Sequence, residues 1–238
     1  RPWGGDQLVN ALGKHFVECD DDGNEKVLGA DVKIGESWEL ADMGIVDSVV
    51  SNGWLAGNTI SELMETYMER IVGENVHNFY GRQFPVLVKY LHINDRLSVQ
   101  VHPDDEYALS VEGEYGKTEM WYVVDCEEGA ELIYGFKNEI SKDEFRERIE
   151  NNTLTEVCNY VPVKKGDVFF ITAGTLHAIG GGILIAEVQQ NSNSTYRVYD
   201  FGRVGADGKP RELHIDKAVD VTKLEKPTIP YGQVGKVT

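Results

Sequence analysis

The sequence predicts a mainly β fold, an antiparallel jelly-roll barrel carrying a few short helices, and three observations lead to it. Short runs rich in β-branched and aromatic residues recur along the chain, most of them flanked by Gly, Asp or Asn turn signals. Only two stretches join a capping-box signature to a following helical apolar stripe. Polar residues stand two apart at Gln100 and His102 and again at Lys117 and Glu119, so each pair shares a strand face and suits the mouth or interior of a barrel.

Taken in order, Thr59-Ile-Ser-Glu62 reads as a capping box, and Ile60, Leu63, Met64, Tyr67, Met68 and Ile71 form one helical stripe ending at Gly73. Strands are expected over 86–91, 97–101, 120–124, 131–134, 167–171, 183–188 and 196–199. Asp104 and Asp105, after His102-Pro103, read as a helix start because acidic residues favour the first turn. Ser141-Lys-Asp-Glu144 repeats the cap signature before Phe145 and Ile149. The apolar faces of these helices are assigned to packing. Gly180-Gly-Gly182 lacks the lysine and helix of a phosphate-cradling loop and reads as a turn. Residues 221–238, with Pro227, Pro230 and two glycines, read as a loosely structured extension.

Composition narrows the function classes. With 23 basic and 40 acidic residues, net −17, the chain offers no clustered cationic surface for nucleic acid or an anionic membrane. No run of about 18 apolar residues marks a membrane-spanning helix. Cys19, Cys126 and Cys158 are odd in number and lack C-x-x-C spacing, so reduced thiols of a cytoplasmic protein are expected rather than a disulfide framework or a thiolate metal site.

The polar pairs carry the chemistry. Gln100 with His102, and Glu119 from a neighbouring strand, would bring an amide oxygen, an imidazole and a carboxylate together. Gly166-Asp-Val-Phe-Phe-Ile-Thr-Ala-Gly-Thr-Leu-His177 reads as a strand, a glycine-bearing turn, and a histidine where the next strand begins. Gln100, His102, Glu119 and His177 therefore form a candidate metal shell, suited to zinc and also to manganese, iron or cobalt. The remaining histidines, His15, His77, His92 and His214, are read as surface or loop residues.

Seven motifs in order, Trp3-Gly4, Gly35-Glu-Ser-Trp-Glu-Leu40, Phe84-Pro-Val-Leu-Val-Lys89, Leu97-Ser-Val-Gln-Val-His-Pro-Asp104, Lys117-Thr-Glu-Met-Trp-Tyr122, Ala173-Gly-Thr-Leu-His-Ala-Ile-Gly180 and Tyr196-Arg-Val-Tyr-Asp-Phe-Gly-Arg203, resemble those of class I phosphomannose isomerases of the cupin superfamily. The resemblance implies a cupin-type catalytic domain over residues 1–220 with helical insertions. It also implies one zinc ion and interconversion of mannose 6-phosphate and fructose 6-phosphate through an enediol-like intermediate. Residues 221–238 stand where relatives carry a further small β-domain, and Thr172 stands where the family usually has proline. Arg197 matches the arginine of the family's Tyr-Arg-Val-Tyr-Asp motif and is expected to stabilise the enediolate, with Lys117 or Glu187 handling the proton. Lys117, beside Glu119, is expected to have a lowered pKa. Ser98, Lys89 and Arg203 are expected to recognise sugar or phosphate, while Glu36 and Trp38 line the sugar pocket. Two alternatives stand beside this reading: another metal-dependent cupin enzyme acting on a different sugar phosphate or by oxygen chemistry, and a sugar-binding module without turnover.

Overall fold

Two five-stranded antiparallel sheets dominate the computed structural model, which describes residues 3–19, 24–29, 32–44, 46–204 and 208–228. In chain order the strands are β1 (Val17–Cys19), β2 (Glu25–Val27), β3 (Glu36–Leu40), β4 (Val86–Ile93), β5 (Val99–Val101), β6 (Glu119–Cys126), β7 (Glu131–Phe136), β8 (Cys158–Pro162), β9 (Val168–Ile171), β10 (His177–Ile179), β11 (Ile183–Gln190) and β12 (Tyr196–Tyr199). The helices are α1 (Gln7–Asn10), α2 (Ile60–Tyr67), α3 (Glu69–Val72), α4 (Glu74–Tyr80), α5 (Asp105–Val111), α6 (Lys142–Glu150) and α7 (Ile215–Val221). One sheet runs β3-β4-β11-β6-β9 and the other β12-β5-β10-β7-β8, while β1 and β2 form a separate hairpin. The fold is thus mainly β, as expected, with the jelly roll built as two facing sheets rather than a continuously hydrogen-bonded barrel.

Strand alternation explains how one fold houses both a core and a polar site. On β4, Lys89, Leu91 and Ile93 share a face; on β6, Glu119, Trp121 and Val123; on β11, Ile185 and Ile183 follow Glu187. The register aligns these stripes, pairing Lys89 with Glu187 and Glu187 with Trp121, then Leu91 with Ile185 and Ile185 with Val123. Each stripe turns from polar to apolar along its length. The apolar ends meet Leu132, Tyr134, Val161, Phe169, Ile171 and Ile179 in a dry core between the sheets. The polar ends converge at the opposite end.

A second core backs the sheet that carries β5, where Val99, Val101, Ala178 and Val198 pack under Phe136, Phe145, Ile149, Leu154 and Ala218 from α6, α7 and their neighbours. Burial on both faces accounts for the near-continuous burial of β10 and β7. The cap signatures form as expected: Thr59 and Glu62 make a reciprocal capping box, the Glu144 N–H donates to Ser141 Oγ at 3.1 Å, and the Tyr107 N–H donates to Asp104 Oδ1 at 2.9 Å.

The structure departs from the sequence reading in several places. The stripe from Ile60 is not one helix, because Met68 adopts φ 42° and divides it into α2 and α3 before Gly73. Helices α4 and α7 and strand β8 carried no signature strong enough to be expected. His92 is not a surface residue: it is 4% exposed on β4, and its Nδ1 accepts the Gln7 N–H at 3.1 Å. Of the extension, residues 222–228 run along the protein, with the Lys223 N–H donating to Gly174 O and the Ile140 N–H to Leu224 O. Residues 229–238 lie outside the described residues. No described helix is long and apolar enough to cross a membrane.

Candidate active site

His102, Glu119 and His177 bring their ligand atoms within 4.8 Å of one another, all three side chains buried. Three local features set this up. Strand β5 ends at Val101, so His102 leaves it just before the Pro103 turn into α5. Glu119 opens β6, and the turn through Gly174, at φ 82°, returns the chain so that His177 opens β10 directly opposite Gln100 on β5. Glycine is suited to that positive φ, and a Cβ there would also stand 2.8 Å from Val221 O.

Hydrogen bonds fix the chemical form of both imidazoles. His102 Nδ1 lies 2.9 Å from Ser194 O and His177 Nδ1 lies 2.9 Å from Thr175 O. A carbonyl only accepts, so each Nδ1 carries the proton and each Nε2 presents a lone pair to the interior. His102 Nε2 stands 3.2 Å from Glu119 Oε1 and His177 Nε2 3.7 Å from Glu119 Oε2. These close approaches bring acceptor to acceptor, and His102 Nε2 and Glu119 Oε2 are buried without a hydrogen-bond partner. Buried polar atoms left in this state cost about 1–3 kcal/mol each, and a cation between them removes the cost. Gln100 completes the set: its amide lies 3.4 Å from His177 Nε2, and a half-turn of that amide presents Oε1 instead. Two neutral imidazoles, a carboxylate and an amide oxygen fit a zinc-type ion.

The electrostatics agree. Burial, reinforced by the Lys117 charge, pushes the His102 pKa down to about 3, and burial likewise lowers that of His177. Burial alone would raise Glu119, but Lys117 and the two histidines hold it well below the usual carboxylate range. All three groups are therefore in their ligating form near neutrality.

The cleft beside this cluster, about 310 Å³, is lined by Glu36, Trp38, Lys89, Ser98, Gln100, Lys117, Glu119, Glu187 and Arg197, the residues singled out from the sequence for substrate or chemistry, together with Trp3, Trp121, Asn193, Thr195 and Arg211. Lys117 Nζ lies 3.0 Å from Glu119 Oε1. Its pKa does not fall as expected from the sequence: burial opposes the ammonium, but Glu119 and Glu187 outweigh it and leave Lys117 above its ordinary value. Glu187, 4% exposed, accepts the Trp121 indole N–H at 2.9 Å and faces Lys89 Nζ at 3.5 Å. Burial and the nearby Glu119 charge raise its pKa, with Lys89 and Lys117 working against them. Lys89 also donates to Gln189 Oε1 at 2.9 Å and lies over the Trp38 ring at 5.1 Å.

Arg197, opposite Gln100 across the β12–β5 pair, donates to Ser98 Oγ at 3.3 Å and to Glu212 O at 3.2 Å. Among the described residues no carboxylate is its hydrogen-bond partner, since Asp200 is occupied by Arg203 and Arg211. Arg203 is the one expected substrate residue placed elsewhere: it lines a separate hollow with Asp95, Arg96, Tyr199 and Phe201. Arg211 takes a place in the cleft that sequence reasoning missed, because it follows a stretch with no strand alternation. Trp121 was recoverable, as it shares the Glu119 face.

Residues 2–135 match the family model described as phosphomannose isomerase type I, catalytic domain. The chain belongs to this family. Its relatives include mannose-6-phosphate isomerase ManA of Bacillus subtilis, 47% identical over 199 residues that make up 83% of this chain and 61% of that protein. Mannose-6-phosphate isomerase of Streptococcus mutans is 47% identical over 193 residues, 81% of this chain and 59% of that protein. The chain thus spans about three-fifths of the length of these curated relatives. Among solved structures, the mannose 6-phosphate isomerase from Bacillus subtilis superposes with a TM-score of 0.80 at 36% identity, covering 99% of this chain and 68% of that one. A zinc-bound holo mannose 6-phosphate isomerase shares the fold at a TM-score of 0.68 and 16% identity, covering 98% of this chain and 75% of that one.

Proposed function

We propose that this chain is the cytoplasmic catalytic unit, over residues 1–220, of a zinc-dependent isomerase that interconverts mannose 6-phosphate and fructose 6-phosphate. The observation that carries the reading is the pair of orphaned acceptors, His102 Nε2 and Glu119 Oε2, at the edge of a cleft that also holds Lys117, Glu187 and Arg197. Family membership and the names of the relatives supply the reaction.

Gln100, His102, Glu119 and His177 would hold the ion, which when bound supplies Lewis acidity toward substrate oxygens. The protein groups divide the remaining work. An aldose–ketose isomerisation moves a proton between C2 and C1 and builds negative charge on the oxygens of an enediolate. Arg197, charged at every working pH and without a carboxylate partner among the described residues, stabilises that charge while keeping its own protons. Glu187, bracketed by the Trp121 indole and Lys89, is positioned by two strands and takes up the migrating proton. Lys117 adds a fixed positive charge beside Glu119. Trp38 and Trp3 offer aromatic faces to the sugar, and Glu36, Ser98 and Lys89 offer polar groups to its hydroxyls.

The test is conversion of mannose 6-phosphate by the purified chain, with chelator and then with zinc added back. Turnover lost to chelator and restored by zinc is expected. A chain that binds zinc and leaves mannose 6-phosphate untouched refutes the assignment. Arg197→Ala should abolish turnover and retain zinc; turnover within twofold of wild type removes Arg197 from the chemistry.

A further inference from the structure

The turn that delivers His177 to the metal cluster is held by the segment that follows α7. Helix α7 ends at Val221, Thr222 leaves it in an extended conformation at φ −72° and ψ 130°, and the chain then passes along the turn at residues 172–176. The Lys223 N–H donates to Gly174 O at 2.8 Å, and the Gly174 N–H donates in turn to His102 O, also at 2.8 Å. Gly174 therefore ties this segment to the main chain of one imidazole ligand, while the next carbonyl, Thr175 O, accepts the proton on Nδ1 of the other, His177. The Lys223 side chain adds a second tie. Its stem crosses Gly174, where a Cβ would stand 3.1 Å from Lys223 Cγ, and its ammonium donates to Thr172 Oγ1 at 3.2 Å, at the start of the same turn. Further along, Pro227 rests on Gly135, where a Cβ would stand 2.3 Å from Pro227 Cγ, and the Gly135 N–H donates to Leu176 O at 2.7 Å, one residue before His177.

From these contacts we infer that residues 222–227 form a strap that fixes the His177 turn, with Lys223 as a positioning residue for the metal shell. The inference rests on the zinc-site reading above. A ligating imidazole is useful only where its Nε2 is held in place, and the carbonyl that orients His177 moves with the turn that carries it. That turn passes through Gly174 at φ 82°, and glycine has the most backbone freedom to lose, so the chain is loosest where the ligand geometry is most exacting. The strap is itself well anchored. Thr222, 7% exposed, donates its N–H and its Oγ1 to Ala218 O, and Leu224 packs against the core behind β5 while its carbonyl accepts the Ile140 N–H at 3.1 Å. None of residues 222–227 lines the cleft, so the strap acts through the turn and not on the substrate.

The test measures zinc release from the loaded full chain to an excess of a coloured chelator, and amide hydrogen exchange over residues 172–177 in the metal-free chain. Lys223→Pro removes both the N–H given to Gly174 O and the ammonium given to Thr172, and Thr222 is already extended, as a residue before proline must be. It should speed zinc release by about tenfold, the loss expected for one or two hydrogen bonds, and raise exchange across the turn. Lys223→Ala keeps the main-chain tie and should speed release by about two- to threefold; it decides the matter if the proline variant does not fold. Leu8→Ala, at a fully buried position on α1, is the control for lost stability: it should lower the melting temperature and leave zinc release unchanged. The inference is overturned if both Lys223 variants release zinc at the wild-type rate, or if Leu8→Ala speeds release as much as Lys223→Pro does. A wild type that takes up no zinc refutes the metal reading instead, and exchange in Lys223→Pro still decides whether the strap holds the turn.

Discussion

Replacing Gly5 by alanine tests the close packing that seats the N-terminal segment against β4. A Cβ at residue 5 would stand 1.9 Å from Cε1 and 2.1 Å from Nδ1 of His92, where carbon contacts settle near 3.5–4.0 Å. The ring or the backbone must therefore move by about 1.5 Å. The ring has little room, being 4% exposed and tied through Nδ1 to the Gln7 N–H. Overpacking of this kind costs about 1–3 kcal/mol, and the gain of about 0.4–1 kcal/mol from restricting the unfolded chain offsets only part of it. For a domain of this size a melting temperature lower by about 2–8 °C is expected, measured by circular dichroism at fixed scan rate. The double variant isolates the cause: once His92→Ala has removed the ring, Gly5→Ala should be close to neutral. If Gly5→Ala is neutral in the wild type, or costs the same with and without the ring, the steric argument is wrong.

Other outcomes follow from the same geometry. His102→Ala should take zinc from about one equivalent to near none by metal analysis, and full occupancy would remove His102 from the shell. Asp200→Asn should destabilise the protein by about 1.5–3 kcal/mol near pH 7 in denaturant titrations. Burial works against the Asp200 carboxylate, but Arg211 and Arg203 hold its pKa below the ordinary 3.8, so its contribution is present above that value and is lost as pH falls through the lower folded-state pKa. The gap between wild type and Asp200→Asn should accordingly close in acid, and a gap independent of pH would refute the ion-pair account. Burial pushes the Cys158 thiol up to about 12, so it should resist thiol reagents in the native state and react only as fast as the protein opens; rapid labelling of Cys158 under native conditions would contradict its placement in the core.

How much of this was legible in the sequence depends on the range over which each signal acts. The ligand strands were legible because strand alternation is local: a single residue between Gln100 and His102 places both on one face whatever lies across the sheet. The turn before His177 was legible from Gly174 for the same reason. The break at Met68 was not, since the sequence there carries neither Gly nor Pro and continues an apolar stripe. His92 was misread because its burial comes from Gly5 and Gln7, more than 80 residues away in sequence. The exchange of Arg203 for Arg211 in the cleft lining was hidden for a related reason: both are arginines in a turn-rich stretch, both pair with Asp200, and only the path of the chain places Arg211 at the cleft and Arg203 in a separate hollow.

The anchoring of the two imidazoles to main-chain carbonyls at residues 175 and 194 has a consequence for how the site tolerates change. A peptide oxygen is supplied by any amino acid, so the tautomer and tilt of His102 and His177 do not depend on which side chains occupy those two positions. They depend on the path of the backbone. Substitution at Thr175 or Ser194 is thus invisible to the metal shell as long as the loops keep their course, whereas an insertion or deletion of a single residue in either loop would carry the carbonyl away and release the ring. The site is protected against point replacement and vulnerable to changes of loop length.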